Sequence, residues 1–171
     1  MISMIVAMDL RNGIGKDGLL PPWKSKDDMV WFREKTRNKA IILGRRTWES
    51  LPVQPLSERL NIVVSTQPIP PYHRWTNGLV WAASLDDAVA GTIGTRFADN
   101  IVIIGGATIY KQALEKDIID IAWITVFKKV YDCDTYFDPS CFKGKDMWAE
   151  QVLLDNDERT VYEYKRVRCN G

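Results

Sequence analysis

The stretch Ile101-Val-Ile-Ile-Gly-Gly-Ala-Thr-Ile-Tyr110 passes from four β-branched residues through two glycines into a helical pattern that continues to Glu115. A strand apolar at every position is buried on both faces, as in parallel sheets covered by helices. Glycines at its end let backbone approach a ligand closely, and the N-terminus of the following helix offers unpaired N–H groups and a positive dipole to phosphate. The pair is not the GxGxxG fingerprint of the usual dinucleotide fold, and a tight turn alone would also account for it.

The same strand type recurs at Ile2 to Met8, Ala40 to Leu43, Leu60 to Val64 and Leu79 to Ala82. Helical stretches lie between at Lys26 to Arg37, near Thr47 to Ser50, at Leu85 to Ala90 and at Thr108 to Glu115. Such alternation implies right-handed crossovers and a doubly wound, mainly parallel sheet. After Lys116 come strand-like segments at Ile118 to Phe127, Ala149 to Leu154 and Val161 to Val167, separated by polar turns, which predict an antiparallel edge. With 171 residues, no internal repeat and no linker, the expectation is one α/β domain over residues 1–171. Its sheet should have about eight strands, with about four helices around it. Ligands in such sheets bind beyond the carboxyl ends of the strands, so functional residues are sought there.

Charge is nearly balanced, 23 Lys and Arg against 22 Asp and Glu, which leaves no overall field for nucleic acid or an anionic membrane. Any anion site must be local. The apolar N-terminal run is too short to span a bilayer and lacks the features of a secretory signal, so a cytoplasmic protein is expected. Cys133, Cys141 and Cys169 show no metal-binding spacing and are expected to be reduced structural thiols. The one histidine, His73, lies among prolines in Gln67-Pro-Ile-Pro-Pro-Tyr-His-Arg-Trp75 and is expected on a solvated loop. That removes the commonest base for a Ser or Cys nucleophile and the commonest metal ligand. No metal site is expected, and the chemistry must run on carboxylates or a cofactor.

Asp28 is the foremost candidate. Its helix begins near Ser25, and positions 28, 31, 32 and 35 share a face, which sets the carboxylate beside Trp31 and Phe32. Apolar surroundings raise a carboxyl pKa and a cationic partner lowers it again. A desolvated carboxylate holds forked N–H donors bidentately. Ser25-x-x-Asp28 is also a capping box, in which Asp28 would only satisfy backbone N–H groups, and Asp27 is a rival on another face. A second anion-binding candidate is Leu43-Gly-Arg-Arg-Thr47, again strand into helix, where two guanidinium groups suit phosphate oxygens.

An ordered set of segments carries a resemblance. It comprises Ile2-Ser-Met-Ile5, Ile14-Gly15, Leu20-Pro-Pro-Trp23, Asp28-Met-Val-Trp-Phe32, Thr36, Gly44-Arg-Arg-Thr-Trp-Glu-Ser50, Ile104-Gly-Gly106, Tyr110 and Asp134-Thr-Tyr-Phe137. Together these closely resemble the dihydrofolate reductase family, over nearly the whole chain. The resemblance implies hydride transfer from NADPH to the pteridine ring of dihydrofolate; a monomer is the default expectation, and the balanced charge predicts no nucleic-acid or membrane partner. It selects Asp28 over Asp27, because the family's carboxylate follows the loop tryptophan by five residues. It implies that Trp23 orders water near the pteridine, that Phe32 packs on the substrate, and that Ile5, Val6 and Ala7 line the pterin pocket. Leu51 matches a position beside the benzoyl group, Arg59 one that binds the glutamate α-carboxylate, and Thr125 a hydroxyl that hydrogen-bonds the acid.

For the cofactor the resemblance implies contacts from Ala7, Ile14, Gly15 and Leu20, from Gly44, Arg45, Arg46 and Thr47, and from Ser65 and Thr66. Ile104, Gly105, Gly106, Ala107, Thr108 and Tyr110 complete the set. The two glycines correspond to a pair joined by a cis peptide beside the nicotinamide. Thr66 joins Arg45 and Arg46 around the adenosine 2′-phosphate, which favours NADPH over NADH. Ala107 replaces a third glycine of the family and Thr108 a basic residue, which bears on the pyrophosphate contacts. One extra residue lies between Leu51 and Arg59 relative to the commonest bacterial pattern. Another lies in the loop Gly15 to Trp23, which in the family closes over the nicotinamide and here ends in Pro21-Pro22. Two prolines should stiffen that end and alter product release. The alternatives are the NADPH-dependent pyrimidine reductase of flavin synthesis, which would not need Trp23, Asp28 and Phe32, and a non-catalytic folate-binding protein.

Overall fold

The computed structural model describes residues 1–21, 23–73, 76–144 and 146–167. In chain order the elements are β1 (Ile2–Met8), β2 (Gly13–Gly15), α1 (Lys26–Thr36), β3 (Ala40–Gly44), α2 (Arg45–Ser50), β4 (Leu60–Val64) and β5 (Leu79–Ala82). They continue with α3 (Leu85–Ala90), β6 (Ile101–Gly105), α4 (Ala107–Glu115), β7 (Ile121–Phe127), β8 (Thr135–Tyr136), β9 (Trp148–Asp155) and β10 (Arg159–Arg166). Eight strands form one sheet in the order β5-β4-β3-β6-β1-β7-β10-β9. It is parallel from β5 to β7 and antiparallel at β10 and β9. The expected parallel core, antiparallel edge and four helices are all present.

Alternation along the strands divides the core in two. Met4, Val6, Ile103 and Ile124 face α3 and α4, where Leu85, Ala88, Ile109 and Ala113 cover them. Ile5, Val102 and Trp123 face the other side, where Trp31 and Phe32 of α1 lie against them. Leu43 and Val63 meet Trp48 of α2 on that same side. The central strands β1, β3, β6 and β7 are largely apolar because helices cover both their faces, whereas the edge strand β9 is exposed along most of its length. Among the described residues, no helix is long and apolar enough to cross a membrane.

Several boundaries differ from expectation. α2 begins at Arg45, so both arginines belong to its first turn. β7 begins at Ile121 rather than Ile118, and β10 begins at Arg159 rather than Val161. The small antiparallel pair β2–β8 was not expected, since three and two residues are too few to show a period. His73 is not a solvated loop residue. It ends a 3₁₀ turn with its ring 5.5 Å from Trp48 and 5.8 Å from Trp81, half-buried in an aromatic cluster. Pro22 and Cys169 lie outside the described residues.

Asp9, just after β1, ties two loops together. Its carboxylate is buried and accepts the N–H groups of Arg11, Gly13 and Tyr131, each at 2.8 Å. Burial works to raise its pKa, but the hydrogen bonds from Tyr131, Gly13 and Arg11 and the Arg11 charge outweigh it and hold the carboxyl below its ordinary value. A depressed folded pKa means that the ionised form stabilises the fold above the unfolded value and that this contribution disappears as pH falls through the folded value. Asp9→Asn is therefore expected to cost about 2 kcal/mol in urea unfolding at neutral pH. The penalty should begin to shrink below about pH 4, the unfolded value, and disappear as pH falls through the lower folded value, where the native carboxyl loses its charge. An equal penalty at both pH values would mean that charge is not what Asp9 contributes.

Candidate active site

α1 starts where the Ser25 hydroxyl accepts the N–H of Asp28 at 3.2 Å. That cap engages the Asp28 main chain, while its carboxylate lines the cleft, with 17% of the side chain exposed. Thr125, buried on β7, hydrogen-bonds the carboxylate, and Arg159 Nε lies 3.9 Å from Oδ1. Burial dominates and raises the pKa of Asp28. The Arg159 charge and the Thr125 hydrogen bond oppose it, and Glu158 adds to it. The result is a carboxyl that takes up a proton more readily than an exposed one. Asp27, the rival, is exposed.

Around Asp28 the wall is apolar. Ile5, Val6 and Ala7 reach it from the carboxyl half of β1, and Phe32 lies one helical turn along. Trp23 is fixed by ring contacts with Phe127 at 4.9 Å and Tyr131 at 5.2 Å. Leu51 caps the end of α2 and Arg59 enters just before β4. Arg59 Nε is buried and has no hydrogen-bond partner among the described residues. Burial and then Arg33 depress its pKa, and Glu58 opposes them. An unsatisfied buried guanidinium N–H suits an incoming carboxylate.

The opposite wall is built on β6 and α4. Gly105 and Gly106 are joined by a cis peptide. Gly105 has φ 123°, and a Cβ there would lie 3.1 Å from the Tyr110 hydroxyl. A Cβ on Gly106 would lie 3.0 Å from Thr47 Oγ1. The Tyr110 hydroxyl sits 2.6 Å from the Ile5 carbonyl in the middle of β1 and 2.9 Å from the Ile104 carbonyl near the end of β6, bridging the two strands. α4 has no side-chain cap at Gly106, and Ala107 and Thr108 form its first turn. Gly44, Arg45, Arg46 and Thr47 stand beside this wall, with Ser65 and Thr66 after β4. Arg45 is held by Glu49 at 2.8 Å and by the Pro68 carbonyl at 3.2 Å, over the Trp81 ring.

Both walls belong to one cleft of about 1780 Å³, and every site residue that the family resemblance implies lines it, Ile14, Gly15 and Leu20 included, whereas the rival Asp27 does not. Among the described residues no His, Cys, Asp and Glu cluster could hold a metal. Residues 1–170 match the family described as dihydrofolate reductase. The chain belongs to the dihydrofolate reductase family. It is 35% identical to the dihydrofolate reductase of Haemophilus influenzae, over 98% of this chain and 93% of that one. A putative dihydrofolate reductase of Caenorhabditis elegans is 37% identical over 92% of this chain and 88% of its own. The Buchnera aphidicola dihydrofolate reductase is 42% identical over 66% of this chain and 65% of its own.

For a dihydrofolate reductase the surroundings of Asp28 hold one residue that sequence reasoning missed. Arg159 could be found only with the register of β10, and the polar turn before it hides where the strand begins. Arg33, which also lines the cleft, is tied with Arg37 to Glu58 and so steadies the loop that carries Arg59. The loop after Gly15 turns tightly, with Asp17 and Gly18 at φ 53° and 74°. It is fastened by a Lys16–Asp132 ion pair and by Asp17 N–H to Asp134 at 3.0 Å.

The double-glycine turn generates a prediction. Gly105→Ala forces a side chain into positive φ and against the Tyr110 hydroxyl, at a cost of about 2 kcal/mol. Gly94→Ala supplies the comparison, since its φ is 78° but nothing lies within 4 Å. Thermal unfolding should show the greater loss for Gly105→Ala. Equal losses would mean that the contact with Tyr110 is immaterial.

Proposed function

We infer that the chain reduces 7,8-dihydrofolate to tetrahydrofolate with NADPH and one proton, with Asp28 serving proton delivery to N5. The observation that carries this is a partly desolvated carboxylate, Asp28, and a double-glycine turn lining one cleft. When bound, NADPH supplies the hydride that reduces C6 of the pterin. The rest is the work of side chains.

Asp28 orients the pterin by accepting its 2-amino and ring N–H donors, a fit for a desolvated carboxylate. Its negative charge favours protonation at N5, and the proton arrives through water ordered by Trp23. Thr125 keeps the carboxylate in place by its hydrogen bond. Ile5, Val6, Ala7 and Phe32 exclude bulk water from the ring, which strengthens each electrostatic contact inside. Leu51 packs on the benzoyl group, and Arg59 Nε takes the glutamate α-carboxylate that its open N–H awaits.

The donor set also fits the cofactor. Gly105 and Gly106 leave the room that Cβ atoms would fill. Ala107, Thr108 and Tyr110 border the same wall, and the α4 N-terminus favours a pyrophosphate. Arg45, Arg46 and Thr66 take the 2′-phosphate, with Gly44, Thr47 and Ser65 beside them. Ile14, Gly15 and Leu20 cover the nicotinamide end. The same reading has the chain act as a cytoplasmic monomer on a small molecule. Its balanced charge gives nucleic acid no broad basic face to bind.

Asp28→Asn keeps the shape and removes the charge, so single-turnover hydride transfer at neutral pH should fall by about two orders of magnitude or more. Native rates in that variant would remove Asp28 from the proton step. Arg45→Gln with Arg46→Gln should raise the KM for NADPH at least about tenfold while leaving that for NADH nearly unchanged. Equal losses for both cofactors would mean that the arginines do not read the 2′-phosphate.

A further inference from the structure

Arg159 opens β10 opposite Phe127 of β7, and Val161 and Glu163 follow opposite Thr125 and Trp123. Alternation therefore turns Arg159 to the face that carries Thr125 and lies under α1. The residue is 4% exposed. Its Nη1 donates to Glu158 Oε2 at 2.7 Å, whereas Nε lies 3.9 Å from Asp28 Oδ1 and has no hydrogen-bond partner among the described residues. The separation is too long for a hydrogen bond but short enough for a strong Coulombic effect.

A guanidinium buried with an open N–H carries a desolvation penalty that an apolar residue would avoid. The turn does not require it. Asn156 already fixes that turn, its side chain accepting the N–H groups of Glu158 and Arg159 at 3.0 and 2.9 Å. What the charge does reach is Asp28.

We propose that Arg159, held by Glu158, is a positioning residue that sets the charge state of Asp28 and hence the pH range of proton delivery to the substrate. This rests on the role given to Asp28 above. The charged groups acting on Asp28 are Arg159 at the start of β10 and Glu158 in the turn before it. β7 contributes only the uncharged Thr125 hydroxyl, and Asp27 on α1 is exposed.

The sign does not depend on whether the proton resides on Asp28 or on the bound pterin. Removing a positive charge beside the pair strengthens proton binding, and removing a negative one weakens it. Arg159→Met should thus move the protonation midpoint up by about one pKa unit, and Arg159→Lys should restore most of the native value. Glu158→Gln, at a side chain 45% exposed and so tolerant of change, should move it down.

Two readouts separate the possibilities. One is infrared titration of the protonated carboxyl band in the ligand-free protein, assigned by its absence in Asp28→Asn. The other is the pH midpoint of single-turnover hydride transfer. Parallel upward shifts in Arg159→Met and a downward shift in Glu158→Gln are the expected result. An infrared midpoint unmoved in Arg159→Met overturns the proposal, whatever happens to thermal stability. If that variant does not fold, an unmoved midpoint in Glu158→Gln overturns it instead. An infrared shift without a rate shift overturns the use of Asp28 in the proton step rather than its coupling to Arg159.

Discussion

One carboxylate, Asp28, is set in a largely apolar wall, and the proposed chemistry depends on how its surroundings balance burial against charge. Burial drives the proton affinity of Asp28 up, while a buried hydroxyl and a buried guanidinium draw it back. The helix that carries Asp28 is set by Trp31 and Phe32 against Ile5 and Trp123, and by Ser25 at its first turn. Turning α1 by one residue, about 100°, would swing the carboxylate away from Thr125 and bring Asp27 toward it. The apolar contacts of the helix are therefore what places the acid.

Anion recognition follows a different logic, because the whole chain carries almost no net charge. The cations are local and are held to different degrees. Arg45 is already braced by Glu49 and the Pro68 carbonyl, so its orientation is set within the chain itself, ready for the phosphate proposed for it. Arg59 keeps an N–H open in a half-buried place, steadied indirectly through the Arg33 and Arg37 pairs with Glu58. Bracing reduces the ordering entropy lost on binding, and an unsatisfied donor adds to the gain when a partner enters.

Much of this was legible in the chain itself. Uninterrupted β-branched runs such as Ile101 to Ile104 give away a sheet covered on both faces, and Ser25 gives away the start of α1. The choice of Asp28 over Asp27 was not periodicity alone, since it needed the five-residue spacing from Trp23. β2 and β8 escaped notice because such short pairings depend on distant partners rather than on local pattern. Arg159 escaped because a charged residue after a polar turn reads as surface. Only the pairing of β10 with β7 puts it inside. His73 misled for the opposite reason: prolines marked a loop correctly, but the loop folds back on Trp48 and Trp81.

The hydroxyl of Tyr110 rivets two neighbouring carbonyls, one from the strand that floors the acid side and one from the strand that floors the glycine side. The two half-sites thus share a single foundation instead of resting on separate ones. On the proposed reading, a shift of that foundation on one side would be felt on the other, and linkage makes any resulting coupling of binding free energies reciprocal.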